Sequence, residues 1–296
     1  MLPLEEVSPD EIQYDFRGSS NLPEHPPVPV PTGPLTFQVT PPAFADYEAA
    51  FRAVQSEIRY GNSYLLNLTF ASEIRTNLDL YEIFQRSRAP YRLWVRNQFV
   101  LFSPECFVRI RGDHHDIATF PMKGTIDAGL ADAERRLLEN WKELAEHHTI
   151  VDLLRNDLNQ IAEEVRVERF RYVETIQTVR KTLLQTSSEI RGHLPENWRA
   201  NLGTMLAKLL PAGSISGAPK EKTVSIIGDV EAQPRGYYTG VCGIFDGENV
   251  DTAIMIRFIR QTGERFWFHS GGGITVNSRL EEEYAELVDK VYLPFT

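Results

Sequence analysis

Residues 271–290, GGGITVNSRLEEEYAELVDK, constrain the fold most, because they join the end of a strand, three glycines and an amphipathic helix. At 3.6 residues per turn, Glu283, Glu286 and Lys290 share one face of that helix. We expect the glycines to interrupt the strand and to let the backbone approach a ligand closely. Two carboxylates that face such a loop suit Mg²⁺, which leaves coordination positions for substrate oxygens. A solvated acidic face with one Glu–Lys pair is the alternative.

Two upstream segments carry candidate catalytic side chains. PMKGT, residues 121–125, ends a predicted strand and places Lys123 before Gly124. It is either a surface turn or a partly buried site in which burial lowers the pKa of the lysine and makes it a usable nucleophile. SPE, residues 103–105, is either a Ser-Pro turn or a segment that places Glu105 as a general acid.

Three further segments place polar residues beside apolar ones. Glu146 is a candidate third carboxylate on a predicted helix, whereas His147 and His148 are adjacent, point to different faces and make a poor metal pair. GSISGAPK, residues 213–220, offers N–H groups to an anion at a helix start, but lacks the spacing of a nucleotide-binding loop. Arg257, in the apolar strand sequence DTAIMIRF, needs either a buried acidic partner or an anionic ligand.

The composition argues against several classes of function. The 296 residues include 31 Lys and Arg and 41 Asp and Glu, which gives a net charge of −10 and argues against nucleic acid as the main partner. Two cysteines do not make a secreted disulfide framework. We find no signal-peptide pattern and no apolar run near the roughly 20 residues that span a bilayer. We therefore expect a cytoplasmic protein with no membrane partner.

Hydrophobic periodicity predicts a mixed α/β (α+β) fold without the regular alternation of a doubly wound sheet. The proline-rich residues 1–42 are predicted to form an irregular N-terminal arm, and residues 43–296 the main domain. We expect residues 129–160 to be helical with a break near Asp152. Residues 250–261 are predicted to form one strand.

Taken together, the motifs resemble the chorismate-utilising enzymes, a family that includes anthranilate, aminodeoxychorismate, isochorismate and salicylate synthases. The matching segments occur in the family's order and cover roughly residues 45–296: GNSYLLNLT (61–69), SPE (103–105), PMKGT (121–125), EHHTIVDLLRNDL (146–158), GSISGAPK (213–220), GYYTGVCGIF (236–245), DTAIMIRF (251–258) and GGGITVNSRLEEEYAELVDK (271–290). The resemblance implies one large anthranilate-synthase-like domain, in which two mainly antiparallel sheets pack together with helices outside and the site between them.

The resemblance also implies roles for individual residues. Glu105 would protonate the leaving C4 hydroxyl of chorismate, and Thr125 would lie beside its ring. The residues implied at the Mg²⁺ region are Glu146, Glu283 and Glu286. Those implied to line the chorismate site are Ser214, Tyr238, Arg257, Gly273 and Lys290, with Arg257 and Lys290 on the carboxylates.

Lys123 decides the branch of the family. Lysine at this position resembles aminodeoxychorismate synthase component I, whereas other members generally have alanine there. The resemblance implies that the amine attacks C2 of chorismate and that ammonia then adds at C4 and expels the lysine. Leu65 stands where isochorismate and salicylate synthases have a lysine that activates water. Gln185 replaces the usual histidine, which leaves a second proton-handling group unassigned.

The expected product is 4-amino-4-deoxychorismate, a precursor of 4-aminobenzoate and folate. Ammonia is expected from solution or from a separate glutamine amidotransferase subunit, because neither Cys106 nor Cys242 has the setting of a glutaminase nucleophile. Two alternatives stay open: anthranilate synthase component I, against which Lys123 argues, and a catalytically silent homologue that binds an anionic ligand or an amidotransferase.

Overall fold

The computed structural model describes residues 3–23, 33–177 and 182–295. The chain groups into two compact units. The first unit comprises Met1–Pro104, Ile215–Gly240 and Met255–Thr296, and the second comprises Glu105–Ser214 and Val241–Ile254.

Strands and helices alternate irregularly along the chain. The strands are β1 (Ile12–Phe16), β2 (Ser19–Ser20), β3 (Phe37–Thr40), β4 (Leu65–Thr76), β5 (Tyr91–Val95), β6 (Phe99–Ser103), β7 (Cys106–Arg111), β8 (Asp116–Thr119), β9 (Met122–Asp127), β10 (Glu163–Gln177), β11 (Thr182–His193), β12 (Gly217–Ala218), β13 (Val241–Phe245), β14 (Val250–Ile254), β15 (Phe258–Thr262) and β16 (Arg265–Ile274). The helices are α1 (Phe44–Tyr60), α2 (Leu80–Arg86), α3 (Ala133–Glu139), α4 (Trp141–Leu158), α5 (Trp198–Leu209), α6 (Gly213–Ser216), α7 (Lys220–Val230) and α8 (Leu280–Asp289), with a 3₁₀ turn at Leu4–Glu6.

The first unit is built on an antiparallel sheet. Its described strands follow the order β12-β4-β16-β15-β6-β5-β1-β2, and β3 also pairs with β4. One face of β4 packs against α1 and α8, with Leu68, Val54 and Leu287 in a shared buried cluster. Helix α8 also contacts β16. This packing fixes the acidic face of α8 beside the glycines of β16.

The second unit is built on another antiparallel sheet. Its described strands follow the order β10-β11-β8-β7-β14-β13, and β9 pairs with β11. Helix α4 buries Ile150, Leu154 and Leu158, whose spacing of four residues defines one helix face. The helix contacts β9, β10 and β11, so residues near its start lie close to Lys123 on β9.

Two antiparallel sheets with helices confirm the expected fold class. The expectation of an irregular arm over residues 1–42 is wrong for β1 and β3. Strand β1 pairs with β5, and β3 pairs with β4. Strand β1 buries Gln13 and Phe16 and pairs with β5 along its whole length, so it joins the sheet despite the prolines that follow. Residues 24–32, where four of those eight prolines lie, are outside the described residues.

The expected break in the long helical stretch is also misplaced. It falls at Asn140, between α3 and α4, and α4 continues through Asp152 to Leu158. Arg155 donates to the Asp152 carboxylate at 2.9 Å on the exposed face, so these polar residues pair along the helix instead of ending it. Among the described helices, none is long and apolar enough to cross a membrane.

Two strand boundaries differ from expectation. The glycines 271–273 continue β16 instead of interrupting it, and pair with residues 67–69 of β4. The strands approach so closely that a Cβ on Gly271 would lie 2.6 Å from the Leu68 carbonyl oxygen. The predicted strand over residues 250–261 is divided into β14 and β15 near Arg257, which has a φ of +52°.

Candidate active site

Lys123 lies within β9 and not in a surface turn. It pairs with Thr186 of β11, whereas Thr125 pairs with Gln185, so Gly124 is an extra residue. Gly124 has a φ of +78°, which glycine adopts without steric cost. This is a β-bulge, a feature that bends a strand and redirects its side chains. Of the two interpretations of PMKGT from the sequence, the surface turn is wrong, because the segment is a bulged strand.

Glu146 of α4 forms an ion pair with Lys123. The Nζ of Lys123 lies 2.9 Å from Oε2 of Glu146, and the two side chains are 29% and 21% exposed. A carboxylate at this distance is an acceptor within reach of the proton that an amine must lose before it can attack. A partly buried lysine was one of the two interpretations from the sequence, and its pairing with Glu146 was not predicted.

Glu105 is held as a candidate proton donor. The Ser214 hydroxyl donates to Oε1 of Glu105 at 2.9 Å. Burial raises the pKa of Glu105 above its ordinary value, and this effect is opposed by the Ser214 hydrogen bond and by the positive charge of Lys123. The carboxyl therefore keeps its proton to a higher pH than an exposed glutamate would. Glu105, Ser214 and Lys123 all lie in the second unit.

In the first unit, the acidic face of α8 lies over the glycine-rich end of β16. A Cβ on Gly272 would stand 3.3 Å from Oε2 of Glu283 and 3.9 Å from both Oε1 of Glu286 and Nζ of Lys290. Lys290 Nζ lies 2.6 Å from Oε1 of Glu286 and donates to the Gly271 carbonyl at 2.7 Å. The prediction that Glu283, Glu286 and Lys290 share one helix face is confirmed. Any side chain at position 272 would occupy the space next to the Glu283 and Glu286 carboxylates and the Lys290 amine.

The donor set beside Gly272 fits Mg²⁺. Glu283 is buried although it is a carboxylate, and burial together with Glu283 and Glu286 raises the pKa of Tyr47. A divalent cation would offset this concentration of negative charge, and Mg²⁺ is typically held by one or two carboxylates with water and substrate oxygens. In the described parts of the chain, no group of three or more His, Cys, Asp or Glu side chains is arranged to hold a metal ion by itself.

Arg257 lies in the break between β14 and β15 and not on a regular strand. Its guanidinium donates to the Lys290 carbonyl at 2.8 Å and lies over the Tyr292 ring, 4.8 Å from the centroid. Neither of these contacts is a carboxylate, so neither neutralises the charge. Of the two interpretations from the sequence, these contacts favour a group that binds an anion.

Tyr238 and Gly273 belong to the same unit as Arg257. Tyr238 is buried, with its ring 5.0 Å from that of His269. A Cβ on Gly273 would meet Cδ1 of Leu65 at 3.0 Å, so Leu65 covers the backbone of the glycine segment. Thr125, in the second unit, is exposed.

The eleven residues implied by the resemblance divide between the two units. Glu105, Lys123, Thr125, Glu146 and Ser214 lie in the second unit, and Tyr238, Arg257, Gly273, Glu283, Glu286 and Lys290 lie in the first. The sequence did not single out Glu143, whose Oε2 would lie 3.3 Å from a Cβ on Gly124. Its spacing of three residues from Glu146 on a helix was the signal that could have found it.

His147, for which the sequence predicted only that it makes a poor metal pair with His148, has a specific hydrogen-bond partner in the structure. It is fully buried, and its Nε2 lies 2.6 Å from Oγ of Ser188 on β11. Burial, with smaller effects from Arg171, His148 and Lys123, lowers the pKa of His147 to about 4. Nothing in its spacing distinguished it from the exposed His148.

Comparison with known proteins gives these residues a context. The family model described as "chorismate binding enzyme" matches residues 4–295. An uncharacterized PabA-like protein of Haemophilus influenzae is 55% identical over 293 residues, which are 99% of this chain and 87% of that protein. Aminodeoxychorismate synthase component 1 of Escherichia coli is 34% identical over 262 residues, or 83% of this chain. The match spans about half of that relative's length, 56%.

The fold also matches solved structures. The crystal structure of anthranilate synthase component I from Streptococcus pneumoniae superposes with a TM-score of 0.74 at 27% identity, and the match covers 87% of this chain and 59% of that chain. The family match extends over nearly all of the chain, and the motifs around Glu105, Lys123 and residues 271–290 fall within it. The chain therefore belongs to the family of chorismate-binding enzymes.

Proposed function

We propose that the chain is an aminodeoxychorismate synthase that converts chorismate and ammonia to 4-amino-4-deoxychorismate and water. The observation that carries this proposal is the arrangement at Lys123. A potential nucleophile lies beside a proton acceptor, Glu146, and its charge acts on the carboxyl of Glu105, whose pKa is raised by burial. The similarity to aminodeoxychorismate synthase component 1 of E. coli supports the same activity.

The proposed reaction is a double displacement. Glu146 accepts a proton from Lys123, and the neutral amine attacks C2 of chorismate while the C4–O bond breaks. Glu105 gives its proton to the departing hydroxyl, which leaves as water. Ammonia then forms a bond to C4 as the C2–N bond to Lys123 breaks. The lysine is regenerated, and the net change replaces the C4 hydroxyl by an amino group.

Substrate binding is assigned to residues of the first unit. We propose that Arg257 and Lys290 bind the carboxylates of chorismate, since both present positive charge and Arg257 lacks a carboxylate among its two described contacts. Glu283 and Glu286 would hold Mg²⁺, whereas Glu146 is assigned to the proton of Lys123 and not to the ion. The ion would neutralise a substrate carboxylate when bound.

Amination rather than hydration is favoured by Leu65. Leu65 packs next to Gly273, and a leucine side chain cannot remove a proton from water, whereas ammonia carries its own lone pair. The ammonia is proposed to come from a separate glutamine amidotransferase. Burial raises the pKa of Cys242 to about 12, so this thiol does not form the thiolate that glutamine hydrolysis would need.

The test is product identification. Purified protein is incubated with chorismate, Mg²⁺ and ammonium, and the product is identified by mass and NMR. We expect 4-amino-4-deoxychorismate as the main product. Anthranilate or isochorismate as the main product would sink the assignment, and absence of turnover with intact chorismate binding would favour a silent homologue.

A further inference from the structure

The buried contact between His147 and Ser188 joins two elements that carry the proposed catalytic pair. His147 follows Glu146 directly on α4. Ser188 lies on β11, two residues beyond Thr186, which pairs with Lys123 of β9. The Glu146–Lys123 ion pair and the His147–Ser188 hydrogen bond are therefore neighbouring links between the helix and the two paired strands.

Ser188 is also tied to the strand that carries Lys123. Its backbone N–H donates to the Pro121 carbonyl at 2.9 Å, just before β9 begins. Its hydroxyl oxygen accepts from the Arg171 backbone N–H at 2.8 Å. One serine thus holds the start of β9, strand β10 and helix α4, and the bond to His147 is the link to the helix.

We infer that His147 is a positioning residue, which holds Glu146 beside Lys123 by anchoring α4 to Ser188. The inference rests on the proposed roles of Lys123 and Glu146. The two histidines of this helix differ in burial: His147 is fully buried and bonded to β11, whereas His148 is exposed. Because Glu146 and His147 are consecutive on a rigid helix, fixing the direction of His147 also fixes that of Glu146.

The consequence concerns both reactivity and catalysis. With the helix anchored, the Glu146 carboxylate stays within hydrogen-bond distance of the Lys123 amine. Without the anchor, the pair separates more often, so the amine is more accessible to a reagent but less well placed for catalysis. A misplacement of about 1 Å in a catalytic pair commonly costs up to about 100-fold in rate.

The experiment compares His147→Leu and Ser188→Ala with the matched control His148→Ala. Lys123 labelling by trinitrobenzenesulfonate at one fixed pH is followed by peptide mass, alongside kcat and KM for chorismate. For both test variants we expect labelling to rise by about threefold or more and kcat to fall by about tenfold, with KM within twofold of wild type. The control should match wild type in all three measurements.

Rescue separates positioning from general support of the fold. The side-chain amide of His147→Gln reaches about as far as Nε2 of histidine and can bond Ser188, so we expect it to restore labelling and kcat. Circular dichroism on heating verifies that each variant is folded at the assay temperature. If His147→Leu does not fold, Ser188→Ala breaks the same bond from the other side.

Unchanged Lys123 labelling in the folded variants would overturn the inference, even if their turnover fell. Because labelling does not depend on turnover, it also separates this inference from the proposed function. Should the wild type form a different product, a rise in labelling with rescue by His147→Gln would still support His147 as the anchor of the pair.

Discussion

Replacing Lys123 by alanine removes both the proposed nucleophile and the cationic partner of Glu146. The pair is partly exposed, at 29% and 21%, so its loss should lower the free energy of unfolding by only about 0.5–1 kcal/mol. Loss of the nucleophile should be larger, about 100-fold or more in turnover, equivalent to about 2.7 kcal/mol in the activation barrier. Arg257 and Lys290 remain to bind the carboxylates, so KM for chorismate should change little.

The matched variant Lys123→Arg separates charge from nucleophilicity. Arginine keeps a cation beside Glu146, but its guanidinium stays protonated and cannot attack C2. We expect both variants to lose turnover, whereas recovery in Lys123→Arg would show that only the charge matters. In Lys123→Ala, ammonia could reach C2 directly and form some anthranilate-type product.

Trapping gives the direct assay for the covalent step. Wild type is incubated with chorismate without ammonia, and the mass of the peptide that contains Lys123 is measured. We expect the mass of a chorismate-derived adduct on Lys123. An unmodified lysine, together with near wild-type turnover in Lys123→Ala, would refute the reasoning and leave Lys123 as a structural residue of the bulge.

Three further predictions concern the acid and the metal region. Because burial raises the pKa of Glu105, its acid function should be present at low pH, and kcat of the wild type should fall as pH rises through that pKa. In Glu105→Gln, kcat should be lower and should not show this fall with pH. Glu286→Gln should remove much of the activity with little change in melting temperature, since Glu286 is exposed; activity of the wild type in excess chelator would contradict the metal role. Gly272→Ala should weaken Mg²⁺ binding, measured as a higher Mg²⁺ concentration for half-maximal activity, and raise KM, because its Cβ would stand 3.3 Å from the Glu283 carboxylate. Unaltered kinetics would place the substrate and metal elsewhere.

The periodicity of the sequence was enough to predict the relative placement of site residues that lie on the same helix. The 3.6-residue repeat alone placed Glu283, Glu286 and Lys290 on one face, and α8 confirms it. Helix α1 ends at Gly61, whose φ of +91° is a conformation that glycine adopts for local reasons. The motifs themselves were sufficient to indicate the family, since their order does not depend on how the strands pair.

Strand pairing decided the surroundings of Lys123 and the extent of several strands, because it joins residues that are far apart in sequence. Lys123 faces Glu146 only because β9 pairs with β11 across a bulge at Gly124 and α4 packs on both strands. Residues 271–273 likewise belong to β16 because they pair with β4, about 200 residues earlier in the chain. Strand β1 forms because it pairs with β5. Proline, glycine and polar content report what a segment prefers in isolation, whereas hydrogen bonds to a distant strand outweigh those preferences once the sheet forms.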